Sequence, residues 1–350
     1  MNMMKSIVLH QYNRNVLRAL LNLKVEQIER TVPDADEVVI KVHAAPANPS
    51  DIAFIQGSYN VVKTLPVVPG FEGSGTVVEA GHELVNLIGK KVSFFAQNDG
   101  HGSWSEYITL KKTDLIQLRD DMDMDQAACF AINPFTAFGL FNIAIERSCS
   151  AVIVNAAGGQ VPAFIRNLAA QHQVEVINIV RNTETAKRLI DAGEKYVLNE
   201  TDEEFESAVR ELAHQLDATV AFDAVGGAQS GMLFNAMPPN SELVVYGGLS
   251  NKPMTDISVM ELIFQDKLIS GFNLSSWRQE LDQDEFERIS YLLQEQFIKG
   301  AWKTRIQRMI ALDEVVNGLK SYLGNMSDGK VLFKPSSDDL QKHMLPKLGI

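Results

Sequence analysis

Residues 151–182, AVIVNAAGGQVPAFIRNLAAQHQVEVINIVRN, decide how the chain reads. Ala151 to Asn155 is a short apolar run closed by small residues. Gly158 and Gly159 follow, where the backbone can turn sharply and lie close to whatever it faces. Val161, Phe164, Ile165, Leu168 and Ala169 then recur at helical spacing, the stripe of a helix laid on a sheet. Pro162 suits the first turn of that helix, where a missing N–H costs little. Val174 to Val180 has strand character again, so the unit is βαβ. Its helix N-terminus offers amide donors and the positive end of a dipole to a phosphate.

The dinucleotide fingerprint G-x-G-x-x-G is present only as Ala157-x-Gly159-x-x-Pro162, a degraded match. Gly158, Gly159, Gln160 and Val161 are the candidate phosphate contacts. At the end of the second strand, where an acidic residue would take a ribose 2′-hydroxyl, the chain has Val180, Arg181 and Asn182. An Arg there suits a 2′-phosphate and favours NADPH over NADH; a surface Arg ending a strand is the plain alternative.

A chain of 350 residues is long enough for two domains with separate cores. A formal charge of −12 argues against a general surface for nucleic acid or an anionic membrane. No stretch approaches a membrane span and the N-terminal apolar run is short, which points to the cytoplasm. With Cys129 and Cys149 alone there is no disulfide framework, and both read as small buried apolar residues.

From Ser6 to about Leu118 short apolar runs alternate with Gly, Pro and Asn. Val38 to Val42, Gly75 to Glu79, Lys91 to Phe95 and Tyr107 to Leu110 read as strands and helical periodicity is scarce, which gives an irregular, mostly antiparallel β domain. A helix is expected from Asp125 to Phe130, with a break near Asn133-Pro134 and a second helix following through Ala137, Leu140 and Ile143. Strands and helices then alternate: Ala151 to Asn155, Val174 to Val180, Tyr196 to Leu198, Thr219 to Ala224, Leu243 to Tyr246 and Leu268 to Asn273. Such alternation means a parallel, doubly wound sheet. Beyond Ser276 an amphipathic helix follows, and Ile306 to Ile310 and Lys330 to Phe333 could return as strands to the first domain. The expected domains are 1–125 with 278–350, and 126–277.

Asn48-Pro-Ser-Asp51, Gln56-Gly-Ser-Tyr59, Pro69-Gly-Phe-Glu-Gly73, Asn133-Pro-Phe-Thr-Ala137, Val225-Gly-Gly227, Tyr246-Gly-Gly248 and Gly271-Phe-Asn-Leu-Ser-Ser-Trp277 occur in one order along the chain. In this the chain resembles the medium-chain dehydrogenase/reductase superfamily. It is most similar to the zinc-free branch of NADPH quinone oxidoreductases and mitochondrial-type 2-enoyl thioester reductases. The resemblance covers about residues 5 to 334. It implies a GroES-like β domain beside a doubly wound Rossmann domain, an NADPH cofactor, and pairing of subunits into a homodimer through Leu268 to Asn273.

Zinc alcohol dehydrogenases have a Cys before the Ser-Asp pair and a His after the Pro-Gly pair; here those places hold Asn48-Pro49 and Phe71. His101, in a Gly-rich loop, lacks evident ligand partners and reads as solvated or backbone-bonded. Without a metal, the feasible chemistry is hydride delivery to the polarised double bond of a quinone, enone or enoyl thioester, followed by protonation.

The resemblance puts Tyr59 in the proton-donor position, against a plain reading as a loop aromatic or pocket wall. It sets Asn48 and Thr136 beside the nicotinamide, against turn bonding and helix capping. Tyr246, Gly247, Gly248, Phe272 and Asn273 fall in segments that line the cofactor, Trp277 in the closing segment or a subunit interface. Asp223 reads as a structural strand-end residue. Lys330 could reach a 2′-phosphate or could simply be solvated. Gln160 and Pro162 depart from the small residues that relatives use. That departure keeps a second expectation open, a non-catalytic NADPH-sensing or structural relative with a degraded loop.

Overall fold

The computed structural model describes residues 3–97, 100–324 and 326–335. In chain order the strands are β1 (Met3–Leu9), β2 (Leu23–Glu29), β3 (Glu37–Pro46), β4 (Glu72–Ala80), β5 (Lys91–Phe95), β6 (Tyr107–Lys111), β7 (Leu115–Gln117), β8 (Ala151–Val154), β9 (Glu175–Val180), β10 (Tyr196–Asn199), β11 (Val220–Asp223), β12 (Glu242–Val245), β13 (Leu268–Gly271), β14 (Ile306–Ala311) and β15 (Lys330–Lys334). The chain divides into two compact units, Met1–Asn133 with Arg288–Ile350, and Pro134–Glu287. Both borders fall later than the sequence reading placed them. Ala128 and Cys129 pack with Leu332 in the first unit, and the Phe286 ring stacks on Phe135 in the second with centroids 5.3 Å apart.

The first unit carries a sheet in the order β14-β15-β3-β4-β5-β7, with β6 also on β3, and a separate β1-β2 hairpin. The C-terminal segment does return: β15 runs antiparallel to β3, opposing Leu332 to Pro46 and Phe333 to Ala45. Trp104 and Phe333 are buried there with ring centroids 4.8 Å apart, and the Trp104 indole N–H donates to the Pro46 carbonyl at 3.0 Å. Two short helices escape the periodicity. Val16–Leu21 is held by Asn15, whose side chain accepts from the Arg18 amide. Pro49–Ile55 starts on a proline, which is preset for a first turn.

The second unit is a parallel sheet in the order β10-β9-β8-β11-β12-β13. β8 and β11 are buried along their whole length, the continuous apolar runs of strands covered on both faces. β9 and β10 lie on one side of β8 and β11, β12 and β13 on the other, so the switch in winding direction falls between β8 and β11. Ligands of doubly wound sheets bind outside the carboxyl ends of the strands at that switch. The helix expected from Asp125 is shorter, Met124–Ala127. The second helix, expected through Ala137, Leu140 and Ile143, is Asn133–Glu146; it begins at the break itself, because Pro134 is tolerated in a first turn.

Candidate active site

In the second unit, the turn after β8 leads into the helix Gln160–His172, with Gly159 as its N-cap. Pro162 therefore sits in the first turn, where a helix amide has no intrahelical acceptor to lose. The loop is folded back on itself, with the Gly159 amide donating to the Ala156 carbonyl at 2.8 Å. Gln160 and Val161 supply the amides of the first turn, so the departures from the fingerprint leave the cradle's helix intact. Arg181 is exposed just beyond β9. Arg188 was not singled out from sequence. It stands in the helix Thr183–Asp191 and its guanidinium donates to the Gly158 carbonyl at 3.4 Å, which brings a second cation to the same turn. Its only sequence signal is its place in the helix that follows Arg181.

At the switch point Asp223 is consumed by structure, as expected. One carboxyl oxygen accepts from the Asn155 side chain at 2.5 Å, the Val225 amide at 2.7 Å and the Gly226 amide at 3.0 Å; the other accepts from the Ser230 hydroxyl at 2.5 Å. Asn155 in turn accepts from the Ala224 amide at 2.7 Å. The ends of β8 and β11 are thus tied together, and Asn155 is a further residue that sequence reading passed over. Gly247 follows β12 because a Cβ there would lie 2.8 Å from the Ala224 carbonyl oxygen. Tyr246 is half-buried before it, and Gly248 is exposed.

Thr136 is buried in the first turn of the helix Asn133–Glu146. One turn further, a Cβ on Gly139 would lie 2.6 Å from the Phe272 ring and 3.1 Å from the Trp277 ring. That glycine lets the segment after β13 close onto the helix. Asn273 is a helix cap: its side-chain oxygen accepts from the Ser276 amide at 3.0 Å at the start of the helix Leu274–Glu280.

In the first unit, Tyr59 is half-buried with its ring centroid 5.3 Å from that of Phe71. Burial raises its pKa, a hydrogen bond with the Gln97 side chain lowers it, and the charge of Asp51 raises it again. Lys63 is buried close by, its ammonium 5.8 Å from the centroid of the Phe71 ring and donating to the carbonyls of Ala96 and Gly100. His101 is backbone-bonded, its Nδ1 accepting from the Val68 amide at 3.2 Å, and burial lowers its pKa.

Asn48 and Lys330 meet inside the first unit. Lys330 is 6% exposed, neither solvated nor turned outward, and its ammonium donates to Oδ1 of Asn48. The Asn48 Nδ2 donates to Glu72 at 2.9 Å and its backbone amide to Asp51 at 2.8 Å. Its amide is therefore engaged inside the unit on both ends. A charged residue in a strand reads as solvated, but buried lysines do occur when paired. Burial pushes the carboxyls of Asp51 and Glu72 up, each to about 7. The Asn48 amide opposes this most for Asp51, and Lys330 most for Glu72.

This geometry does not fit zinc. Phe71 and Pro49 offer no ligand and the carboxyls of Asp51 and Glu72 both accept from Asn48; among the described residues no group of three or more His, Cys, Asp or Glu could hold a metal. No helix among them is long and apolar enough to cross a membrane. Both cysteines are buried.

The chain matches the alcohol dehydrogenase GroES-like domain over residues 34–120 and the zinc-binding dehydrogenase domain over residues 164–292. It is 32% identical to the mitochondrial enoyl-[acyl-carrier-protein] reductase of Rattus norvegicus, over 80% of this chain and 77% of that one. The human counterpart is 28% identical over 85% and 81%. A Mesorhizobium loti protein assigned as an NADPH:quinone reductase superposes with a TM-score of 0.90 and 31% identity, covering 96% of this chain and 99% of that one. A mitochondrial 2-enoyl thioester reductase heterodimer from Candida tropicalis, at TM-score 0.78 and 21% identity, shares the fold over 95% of this chain and 100% of that one. With ordered motifs, a GroES-like sheet and a doubly wound sheet agreeing with these likenesses, the chain belongs to the medium-chain dehydrogenase/reductase superfamily, in the branch that holds the enoyl thioester and NADPH:quinone reductases.

Proposed function

We propose that the protein is an NADPH-dependent reductase of quinones or of activated carbon–carbon double bonds, enones and 2-enoyl thioesters, working without a metal. The observation that carries this is the turn after β8: an intact Gly159-capped helix start with two guanidinium groups, Arg181 and Arg188, on the segment that follows β9. Amides of a helix start suit a pyrophosphate, and paired guanidiniums suit a 2′-phosphate. The names of the relatives support the same cofactor and the same acceptors.

NADPH, when bound, supplies a hydride to an electron-poor carbon. The chain's own residues do the rest. Gly158, Gly159, Gln160, Val161 and Arg181 hold phosphates; Thr136, Tyr246, Gly247, Gly248 and Phe272 border the cofactor. Tyr59, on Phe71 and bonded to Gln97, hands a proton to the developing enolate. Asn48 and Lys330 act behind it rather than on a ligand, and Asn273 acts through the helix it caps. Pro162, seated in a regular first turn, weakens the alternative of a decayed, non-catalytic loop. Titration calorimetry with NADPH followed by turnover assays separates the two: binding with no turnover of any acceptor indicates a sensor.

The protein also pairs with a second copy. β13 is an open sheet edge, and Val259, Met260, Leu262, Ile263, Phe264 and Leu268 are exposed beside it, a patch and an edge that call for cover. A mitochondrial rather than cytoplasmic setting is favoured by the names of the relatives, and fractionation of cells making the chain tests it.

A further inference from the structure

The first unit buries two carboxyls against one ammonium. Asp51 and Glu72 are both 0% exposed and Asn48 stands between them. Asn48 gives its backbone amide to Asp51 at 2.8 Å and its side-chain amide to Glu72 at 2.9 Å, and it takes Lys330 on its own oxygen. The second oxygen of Glu72 accepts from the Ile132 amide at 3.1 Å. Asp51 Oδ1 has no hydrogen-bond partner.

If both carboxyls were ionised, the cluster would hold an uncompensated negative charge in the interior, with one carboxylate oxygen bare. Both features are strongly unfavourable in a low-dielectric interior. A single proton removes the net charge. The other ionisable groups turned toward the cluster cannot supply charge of their own, because burial raises the pKa of the Cys129 thiol and of the Tyr322 phenol. Asp125, beyond Cys129, is paired with Lys334. The remaining neighbour is Tyr59, whose ring lies with its centroid 5.3 Å from that of Phe71, the residue before Glu72, and whose proton is harder to remove when Asp51 is charged.

We propose that Asp51 and Glu72 hold one proton between them across Asn48, so that the cluster is neutral with Lys330 at neutral pH, and that this shared proton keeps Tyr59 competent as a donor. Its second half rests on the reductase reading above. Asp51 and Glu72 are then tuning residues that never touch substrate. When alkali removes the proton to solvent, the cluster gains a net negative charge facing Tyr59. Tyr59 becomes a weaker acid and turnover falls, by at most about tenfold for a shift of one pKa unit.

Infrared difference spectra of the full chain, without cofactor or substrate, test the proton directly. The carbonyl band of a protonated carboxylic acid is expected near pH 6, bleached by about pH 9 as the pair loses its proton. In D51N and in E72Q the band is absent across this range, because one carboxylate then faces one ammonium. No band in the unmodified protein, or a band kept by both variants, overturns sharing. The spectrum of the unmodified protein decides the first point even if a variant fails to fold. Turnover against pH with NADPH and crotonyl thioester tests the link to Tyr59: the alkaline fall should be present in the unmodified protein and abolished in D51N. An equal fall in both overturns the link. A bleaching band with no turnover of any acceptor upholds the shared proton and overturns the reductase reading instead.

Discussion

Lys330 donates its ammonium to the side-chain oxygen of Asn48, joining positions 282 residues apart. The contact exists because β15 returns to lie antiparallel on β3, one strand end away from the helix Pro49–Ile55 that Asn48 precedes. It buries a lysine that reads from sequence as solvated and ties it to the residue that opens that helix.

Removing that ammonium should destabilise the fold in a pH-dependent way. Lys330→Met leaves two buried carboxyls with no counter-ion, at a cost of about 3 kcal/mol or more once they ionise. Because their native pKa values are raised to about 7 from ordinary values of 3.8 and 4.5, the native state binds more protons than the unfolded chain between those limits. Their contribution is fully present below about pH 4 and is lost as pH rises through about 7. Urea unfolding should therefore show K330M much more impaired near pH 8 than near pH 5; an equal loss at both would contradict the charge count.

Asp125 behaves in the opposite sense. Burial disfavours its charge, but hydrogen bonds from His43, at 2.9 Å, and Lys334 override burial and hold its pKa at about 2. The folded value is depressed from 3.8, so this stabilisation is present above about pH 4 and is lost as pH falls through about 2. Asp125→Asn should cost about 2 kcal/mol at neutral pH, read from the shift in urea midpoint, and almost nothing near pH 2.

Much of the second unit was legible because its strands are apolar runs set between glycine turns, and a run buried on both faces needs no long-range partner to be seen. β8 through β13 fall within a residue or two of their expected positions. The role of Asp223 was legible for the same local reason, since its partners Val225 and Gly226 follow it directly. The Asn48 cluster was not, because its members come from distant segments and a strand lysine looks the same in sequence whether it meets water or a carboxylate. Asn273 was open to a local reading as well: an Asn before a helix suits its cap, and its side chain accepts from the Ser276 amide. Arg188 was hidden by distance along its helix, and only the fold turns it back toward Gly158.

Cofactor choice should follow Arg181. Arg181→Ala is expected to weaken NADPH by about tenfold or more, while NADH changes by less than about twofold. Arg188→Ala should give a smaller effect in the same direction, since its guanidinium also bonds the Gly158 carbonyl. Titration calorimetry with both nucleotides measures each; equal weakening of NADPH and NADH would remove Arg181 from the 2′-phosphate.

Pairing of copies should fail when charge is placed on the open edge. Phe264→Asp combined with Leu268→Asp puts two carboxylates on side chains that are 66% and 51% exposed, so neither substitution disturbs a core. Light scattering should find the unmodified protein as a dimer and the variant as a monomer with unchanged thermal stability of the second unit.

Whether the protein is a metal-free reductase is decided by NADPH oxidation, with the purified protein offered in turn a quinone, an enone and crotonyl thioester, alongside Tyr59→Phe. Loss of NADPH absorbance is expected with at least one acceptor, and turnover of the thioester should be slowed about a hundredfold in the variant. Tight NADPH binding with no oxidation by any acceptor would contradict that reading.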